Sequence, residues 1–186
     1  MQRFIDAWQI VRKHPLGWLT TVGVYSVLAV LSAGLATVLL PNLLRGARAG
    51  LQRSSAPSLR ELLDVGSALD DLYPMLVWLV ACTIAAAVGK VLVVVPLVLL
   101  FWVPMLAMDG ATDGADAARA SFAHSKSDVV ELAQFVLVAV AANVVGVFTC
   151  IGWLWTMPVT LLAALQMYDE RRPAIIATAQ AEGVAI

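Results

Sequence analysis

All but one of the 25 charged residues in this chain fall in four short blocks, at 3–13, 45–71, 109–131 and 169–182. Between the blocks lie apolar gaps of 31, 37 and 37 residues, broken only by Lys90. A soluble domain carries about 25% charged residues spread over its surface; here the share is 13%, against 61% hydrophobic. A core of this size cannot bury so much apolar side chain, whereas lipid can solvate it. The pattern therefore predicts an all-α, polytopic integral membrane protein.

A helical span needs about 20 apolar residues. A gap of 37 residues would make one helix of about 55 Å, too long for one crossing and just enough for two. Breakers sit in each gap, at Ser32-Ala33-Gly34, Val95-Pro96 and Cys150-Ile151-Gly152. The charges agree. If each gap were one span, the four arginines of the second block (Arg45, Arg48, Arg53, Arg60) would face outside, against the positive-inside rule. If each gap is a hairpin, all four blocks share the cytoplasmic side and the external turns carry no charge.

The expected architecture is a single membrane domain over residues 1–186, built as three hairpins with about six membrane segments and short amphipathic cytoplasmic helices. An interfacial helix at 2–14 comes first, with Phe4, Ile5, Trp8 and Val11 at helical spacing. Hairpin 1 covers 15–51 and a cytoplasmic loop and helix 52–72. Hairpin 2 covers 73–108, a cytoplasmic amphipathic helix 109–127, hairpin 3 128–168, and a cytoplasmic tail 169–186. Ser58 and Glu61 have the spacing of a capping box. Asp113 suits a helix N-cap, with Asp116 complementing the dipole. Asp128 and Glu131 repeat the capping-box spacing. Trp18, Trp78, Trp102, Trp153, Trp155, Tyr73 and Tyr168 fall near arm ends and read as interface anchors.

The residues that could carry chemistry are few. Asp109, Asp113 and Asp116 cluster beside Gly110 and Gly114, but the longer aspartate pattern of headgroup-transferring membrane enzymes is absent, and capping explains them. His14 and His124 read as interface histidines, with a pigment or metal left as the alternative. Cys82 and Cys150 each stand alone in an apolar stretch, so a disulfide framework is not expected. No cofactor is implied, and a net charge of −1 argues against a nucleic-acid partner. Lys90 and Asn143 are the intramembrane polar candidates, Lys90 with a stem that can snorkel outward. Ala81, Ala85 and Gly89 form a small-residue ladder, as do Ala142 and Gly146, and such ladders let helices approach closely.

The order of motifs also resembles a known group. A basic helix with His14-Pro15 is followed by Leu-Arg-Gly-Ala-Arg-Ala-Gly (44–50), Pro-Ser-Leu-Arg-Glu-Leu-Leu (57–63), Val-Val-Val-Pro (93–96), Asp-Gly (109–110) and Ala-Arg-Ala-Ser-Phe (118–122). This is similar to a broad bacterial family of six-helix membrane proteins, related to the membrane domain of some glycerophosphoryl diester phosphodiesterases. The central break departs from that group, since Leu97 follows Pro96 where glycine is common. The phosphodiesterase catalytic domain is wholly absent, so the resemblance implies no enzymatic activity. It implies the three-hairpin architecture, a bacterial cytoplasmic membrane location with both termini inside, and an accessory role.

The expected function is a non-enzymatic scaffold or accessory subunit, with the bilayer and other membrane subunits or further copies of itself as partners. A small transporter or channel subunit, or a membrane-shaping hairpin protein, is the alternative.

Overall fold

A computed structural model describes residues 2–32, 35–53, 55–89, 94–111, 113–148 and 152–184. Every regular element among them is helical, and no strand is present among the described residues. The chain forms two compact units. Unit 1 comprises Met1–Val65 and Ala139–Asp169; unit 2 comprises Gly66–Val138 and Glu170–Ile186.

Unit 1 begins with α1 (Gln2–Lys13) and α2 (Pro15–Leu31). Pro15 opens α2, where its missing N–H costs nothing. Along α2 the buried residues Trp18, Val22 and Tyr25 recur at helical spacing, while Leu16, Val27 and Leu31 are exposed. A 3-10 turn (Leu35–Leu39) leads into α3 (Leu40–Arg53). In α3 the spacing of Leu43, Leu44, Ala47 and Gly50 buries one face. The first return arm, expected as an apolar membrane segment, is thus this turn followed by a two-faced helix. Ser58 then caps α4 (Leu59–Leu62) in a complete capping box, its hydroxyl accepting the Glu61 amide while the Glu61 carboxylate accepts the Ser58 amide. Tyr25, Leu43 and Leu62 form the core, with Val24, Leu39, Leu40, Met157 and Leu161 around them.

Two polar side chains tie this unit together by bonding backbone on another element. The Thr21 hydroxyl donates to the Pro57 carbonyl at 2.8 Å, and the Asn42 amide donates to the Leu62 and Asp64 carbonyls at 3.3 and 2.8 Å. Both side chains are buried, and each bonds to backbone in a linker or at a helix end.

Unit 2 contains α6 (Leu72–Val88), α7 (Val94–Leu99), α8 (Val103–Met108) and α9 (Gly114–Ser127), preceded by α5 (Val65–Asp70) at the boundary. The second break was expected at Val95-Pro96. Instead α6 ends at Val88, residues 90–93 lie outside the described part, and α7 runs through Pro96. Proline is tolerated there because its absent N–H falls in the first turn, among amides with no intrahelical acceptor.

The return arm is itself split, by a turn at 100–102. Pro104 cannot donate an amide back to this turn, and Ser121 repairs it. The buried Ser121 hydroxyl accepts the Trp102 amide at 3.1 Å and donates to the Leu99 carbonyl at 3.1 Å. At the end of α8 the chain turns at Gly110 (φ +106°), and the Ala111 amide reaches back to the Leu106 carbonyl. Asp113 caps α9 as expected, accepting the Ala115 and Asp116 amides at 2.8 and 3.0 Å. α9 packs against α6, α7 and α8, and buries Gly114, Ala117, Ala120, Ser121, His124 and Ser125 along its length.

α10 (Val129–Phe148) and α11 (Trp153–Ala181) each contribute to both units. The expected break at 150–152 falls between them, with residues 149–151 outside the described part. α11 continues as helix past Tyr168, where the last membrane arm was expected to end. Among the described helices, α10 is the one that is long and apolar enough by itself to cross a membrane. At 1.5 Å per residue its 20 residues span about 30 Å, the thickness of a bilayer's hydrocarbon core. α2 and α6 are apolar but shorter, 17 residues each.

The aromatic residues divide differently from the expectation. Trp18, Trp102 and Tyr168 are fully buried core residues rather than interface anchors. Hydropathy marks where aromatics fall along an arm; it does not say on which face.

Candidate functional site

Two polar constellations stand out, one in each unit. In unit 1, Asn143 of α10 lies against α11. Its amide donates to the Ala139 carbonyl at 2.8 Å and to the Thr160 hydroxyl at 3.1 Å, while its carbonyl accepts from the Thr156 hydroxyl at 3.0 Å. Thr160 in turn donates to the Met157 carbonyl at 2.9 Å. The helices can come this close because of Gly146. A Cβ there would lie 2.6 Å from the Thr156 hydroxyl and 2.7 Å from the Trp153 amide nitrogen. Ala142, one turn earlier, is half-buried. The ladder and the polar knot are thus one device: glycine brings the backbones together and Asn143 bonds across the gap.

In unit 2 the polar residues are ionic. Arg171 of α11 forks between Asp128 and Glu131, one guanidinium nitrogen to each carboxylate. Asp128 and Glu131 were expected at capping-box spacing; both carboxylates pair with this arginine, and their i, i+3 spacing aims both at it. Arg172 binds Asp109 at 2.6 Å, and Asp109 is nearly buried. Arg119 pairs with Asp116 on its own helix, and Lys126 sits over the Phe122 ring at 4.1 Å.

His124 joins this cluster from α9. Its Nδ1 lies 3.4 Å from the Thr178 hydroxyl, whose proton is already committed to the Ala174 carbonyl. Thr178 can therefore only accept, so Nδ1 carries the imidazole proton in the neutral ring. Nε2 is then a lone pair, buried without a hydrogen bond and facing the Asp128 carboxylate at 3.8 Å. Burial holds the His124 pKa below its ordinary value. The Asp128 charge opposes that shift and the Arg171 charge reinforces it. The Trp102 ring stands edge-on to the imidazole, 6.0 Å between centroids.

The similar ends of two return arms have a matching use. Asp109 closes Met105-Leu106-Ala107-Met108-Asp109 and takes Arg172 within unit 2. Asp169 closes Leu165-Gln166-Met167-Tyr168-Asp169 and takes Arg48 within unit 1, where the Arg48 guanidinium also sits 5.5 Å from the Tyr168 ring centroid.

Other sequence candidates separate. Lys90 lies outside the described residues. Ala81 and Ala85 are half-buried on α6, beside the exposed Ile84 and Val88; Gly89 follows as its C-cap. His14 is exposed and sits in the other unit from His124. Cys82 is half-buried, and Cys150 lies outside the described residues. Asp113 and Asp116 are occupied as a cap and an arginine partner. Among the described residues no three histidine, cysteine or acidic side chains gather as a metal site would require.

Sequence reasoning missed Thr156, Thr160, Ser121 and the Arg171 fork. Each depends on a partner well removed in sequence, and none has a local signature. Only the paired carboxylates of Asp128 and Glu131 hinted at a cation to come.

No protein-family profile, curated protein or solved structure matches this chain.

Proposed function

We propose that this chain is a polytopic integral membrane protein of the bacterial cytoplasmic membrane, with both termini inside. In this reading it serves as a non-enzymatic scaffold or accessory subunit of a larger membrane assembly. The three-hairpin, six-segment arrangement belongs to this proposal, as does the six-helix membrane family that the chain resembles.

The observation that carries it is the surface of α10. Val130, Val145, Val147 and Phe148 are 68%, 64%, 61% and 83% exposed, and Val138, Val140 and Val144 are exposed as well. These positions lie on more than one side of the helix. Monomeric soluble proteins rarely leave so much contiguous apolar surface in water; a bilayer or a membrane partner removes that cost. The polar interior supports a structural role. Asn143, Thr156 and Thr160 spend their hydrogen bonds on one another and on their own helices, which makes glue between helices rather than a lined path for a solute.

Native purification in mild detergent, followed by mass spectrometry of co-purifying chains, tests this. The expected result is a stoichiometric complex with other membrane subunits or further copies. A lone monomer, together with unchanged membrane complexes in a deletion strain, would end the accessory reading.

A further inference from the structure

We infer that unit 1 carries a binding surface for anionic phospholipid headgroups, formed where α1 and α3 end and α4 begins around the 55–58 linker. This rests on the membrane reading above and names the lipid class it selects.

Arg12 and Lys13 occupy the last turn of α1, and Arg53 the last turn of α3. Arg60 lies in α4, just past the linker. Far apart in sequence, the segments that carry them come together in the fold. Gly17, at the start of α2, approaches the linker so closely that a Cβ there would lie 2.5 Å from the Ala56 Cβ. Gly50 approaches it from α3, with the Ser55 carbonyl oxygen 2.5 Å from where its Cβ would be. The Thr21 hydroxyl fixes the linker's far side through Pro57. Each of the four cations is within a few residues of these contacts, and all four side chains are exposed.

Few negative charges oppose them. Glu61 is the acid at the linker, and its carboxylate is held by the Ser58 amide at 3.0 Å and by Arg53 at 3.4 Å. Asp64 follows α4, and Asp6 accepts from Gln2 one and a half turns back from Arg12. Counting Glu61 and Asp64, the rim has a net charge of +2. Apolar side chains flank it: Ile5 and Trp8 share an exposed face of α1 with Arg12, and Leu16 is 78% exposed close to Lys13 in the chain. Exposed cations joined to an exposed tryptophan and aliphatics suit the boundary between acyl chains and headgroups. A soluble polyanion would match the charges but leave Ile5, Trp8 and Leu16 in water, so the lipid surface is the better fit.

The test uses the full chain reconstituted in nanodiscs that mix phosphatidylglycerol with phosphatidylcholine, then delipidated stepwise with detergent while retained lipid is counted. Phosphatidylglycerol should be retained in preference. Neutralising Arg12, Lys13, Arg53 and Arg60 to glutamine should reduce that preference by about fivefold per residue at low salt. Replacing the three arginines by lysine should preserve it, and Arg119→Gln with Lys126→Gln in unit 2 should leave it unchanged. Equal retention of the two lipids by the wild-type chain, or an undiminished preference in the glutamine variant, would overturn the inference while leaving the membrane reading intact. A chain that does not incorporate into nanodiscs would overturn both. Displacement of phosphatidylglycerol by excess inorganic phosphate would assign the rim to free anions and refute the lipid surface.

Discussion

The two units are similar in apolar content and opposite in charge. Unit 1 has seven basic and four acidic residues, a net of +3; unit 2 has five basic and nine acidic, a net of −4. Their polar fastening differs accordingly. Unit 1 uses mostly neutral groups bonded to backbone or to one another: Thr21 to Pro57, Asn42 to Leu62 and Asp64, and Asn143 to Thr156 and Thr160. Its Arg48 also pairs with Asp169. Unit 2 joins α11 to α8 and α10 by arginine–carboxylate pairs, with His124 against them. Neutral hydrogen bonds carry no charge-desolvation penalty, whereas buried ion pairs must offset one. Arg12, Lys13, Arg53 and Arg60 of unit 1 are exposed, while the cations described in unit 2 are taken up by its own acids or by the Phe122 ring.

The largest expected effects fall where the units are alike, at backbone approaches that only glycine allows. Gly146→Val in unit 1 would press into Trp153 and Thr156. Gly114→Val in unit 2 would press into Pro74 and the Tyr73 carbonyl, both within 2.9 Å of its Cβ position. Each should cost about 3 kcal/mol, because backbone cannot move aside as a flexible side chain does. Thermal unfolding in detergent, with hydrogen exchange to locate the loss, would check that each acts within its own unit.

Next come the fastenings themselves, which should break the likeness. Arg171→Ala leaves Asp128 and Glu131 without their cation and should cost about 2 kcal/mol, between the values for buried and exposed pairs. Asn143→Ala should cost about 1 kcal/mol, since Thr160 keeps its bond to the Met157 carbonyl. Added salt should shrink the first effect and leave the second unchanged, as denaturation at two ionic strengths would reveal. Equal salt dependence would erase the distinction between the units.

The smallest effect is the response to acid. The His124 pKa is lowered in the fold, so the unfolded chain binds the proton more readily. Its contribution is complete above the unfolded value near 6.5 and is lost as pH falls through the lower folded value. Glu61 is also lowered, chiefly by the Ser58 amide, so its contribution is lost only below the ordinary carboxylate range. Hydrogen exchange across a pH series should therefore show unit 2 loosening before unit 1. His124→Gln should remove the earlier step.

What the sequence made legible was mostly local. The Ser58 capping box, the Asp113 cap and the α1 helix depend on neighbours within a few residues, and each stands where expected. The return arms were less legible. Residues 34–44 and 96–108 look like apolar arms by hydropathy. Yet Leu35–Leu39 winds as a 3-10 turn, and α7 and α8 are separated by a turn that Ser121 stabilises from another helix. Breaks of that kind depend on a distant hydroxyl, and composition does not reveal them. Asn143 was legible as a cross-helix donor, but its partners across the break were not. The approach of the segments that carry Arg12, Lys13, Arg53 and Arg60 needed the contact of Gly17 with Ala56, which no spacing encodes.

The membrane reading is tested most directly on α10. Spin labels placed singly at Val140, Val144 and Val147, with Cys82 and Cys150 replaced by serine, would report their surroundings in reconstituted vesicles. Greater accessibility to oxygen than to a polar nickel chelate at all three positions is the expected result. Greater accessibility to the chelate at all three would place this helix in water and contradict the account.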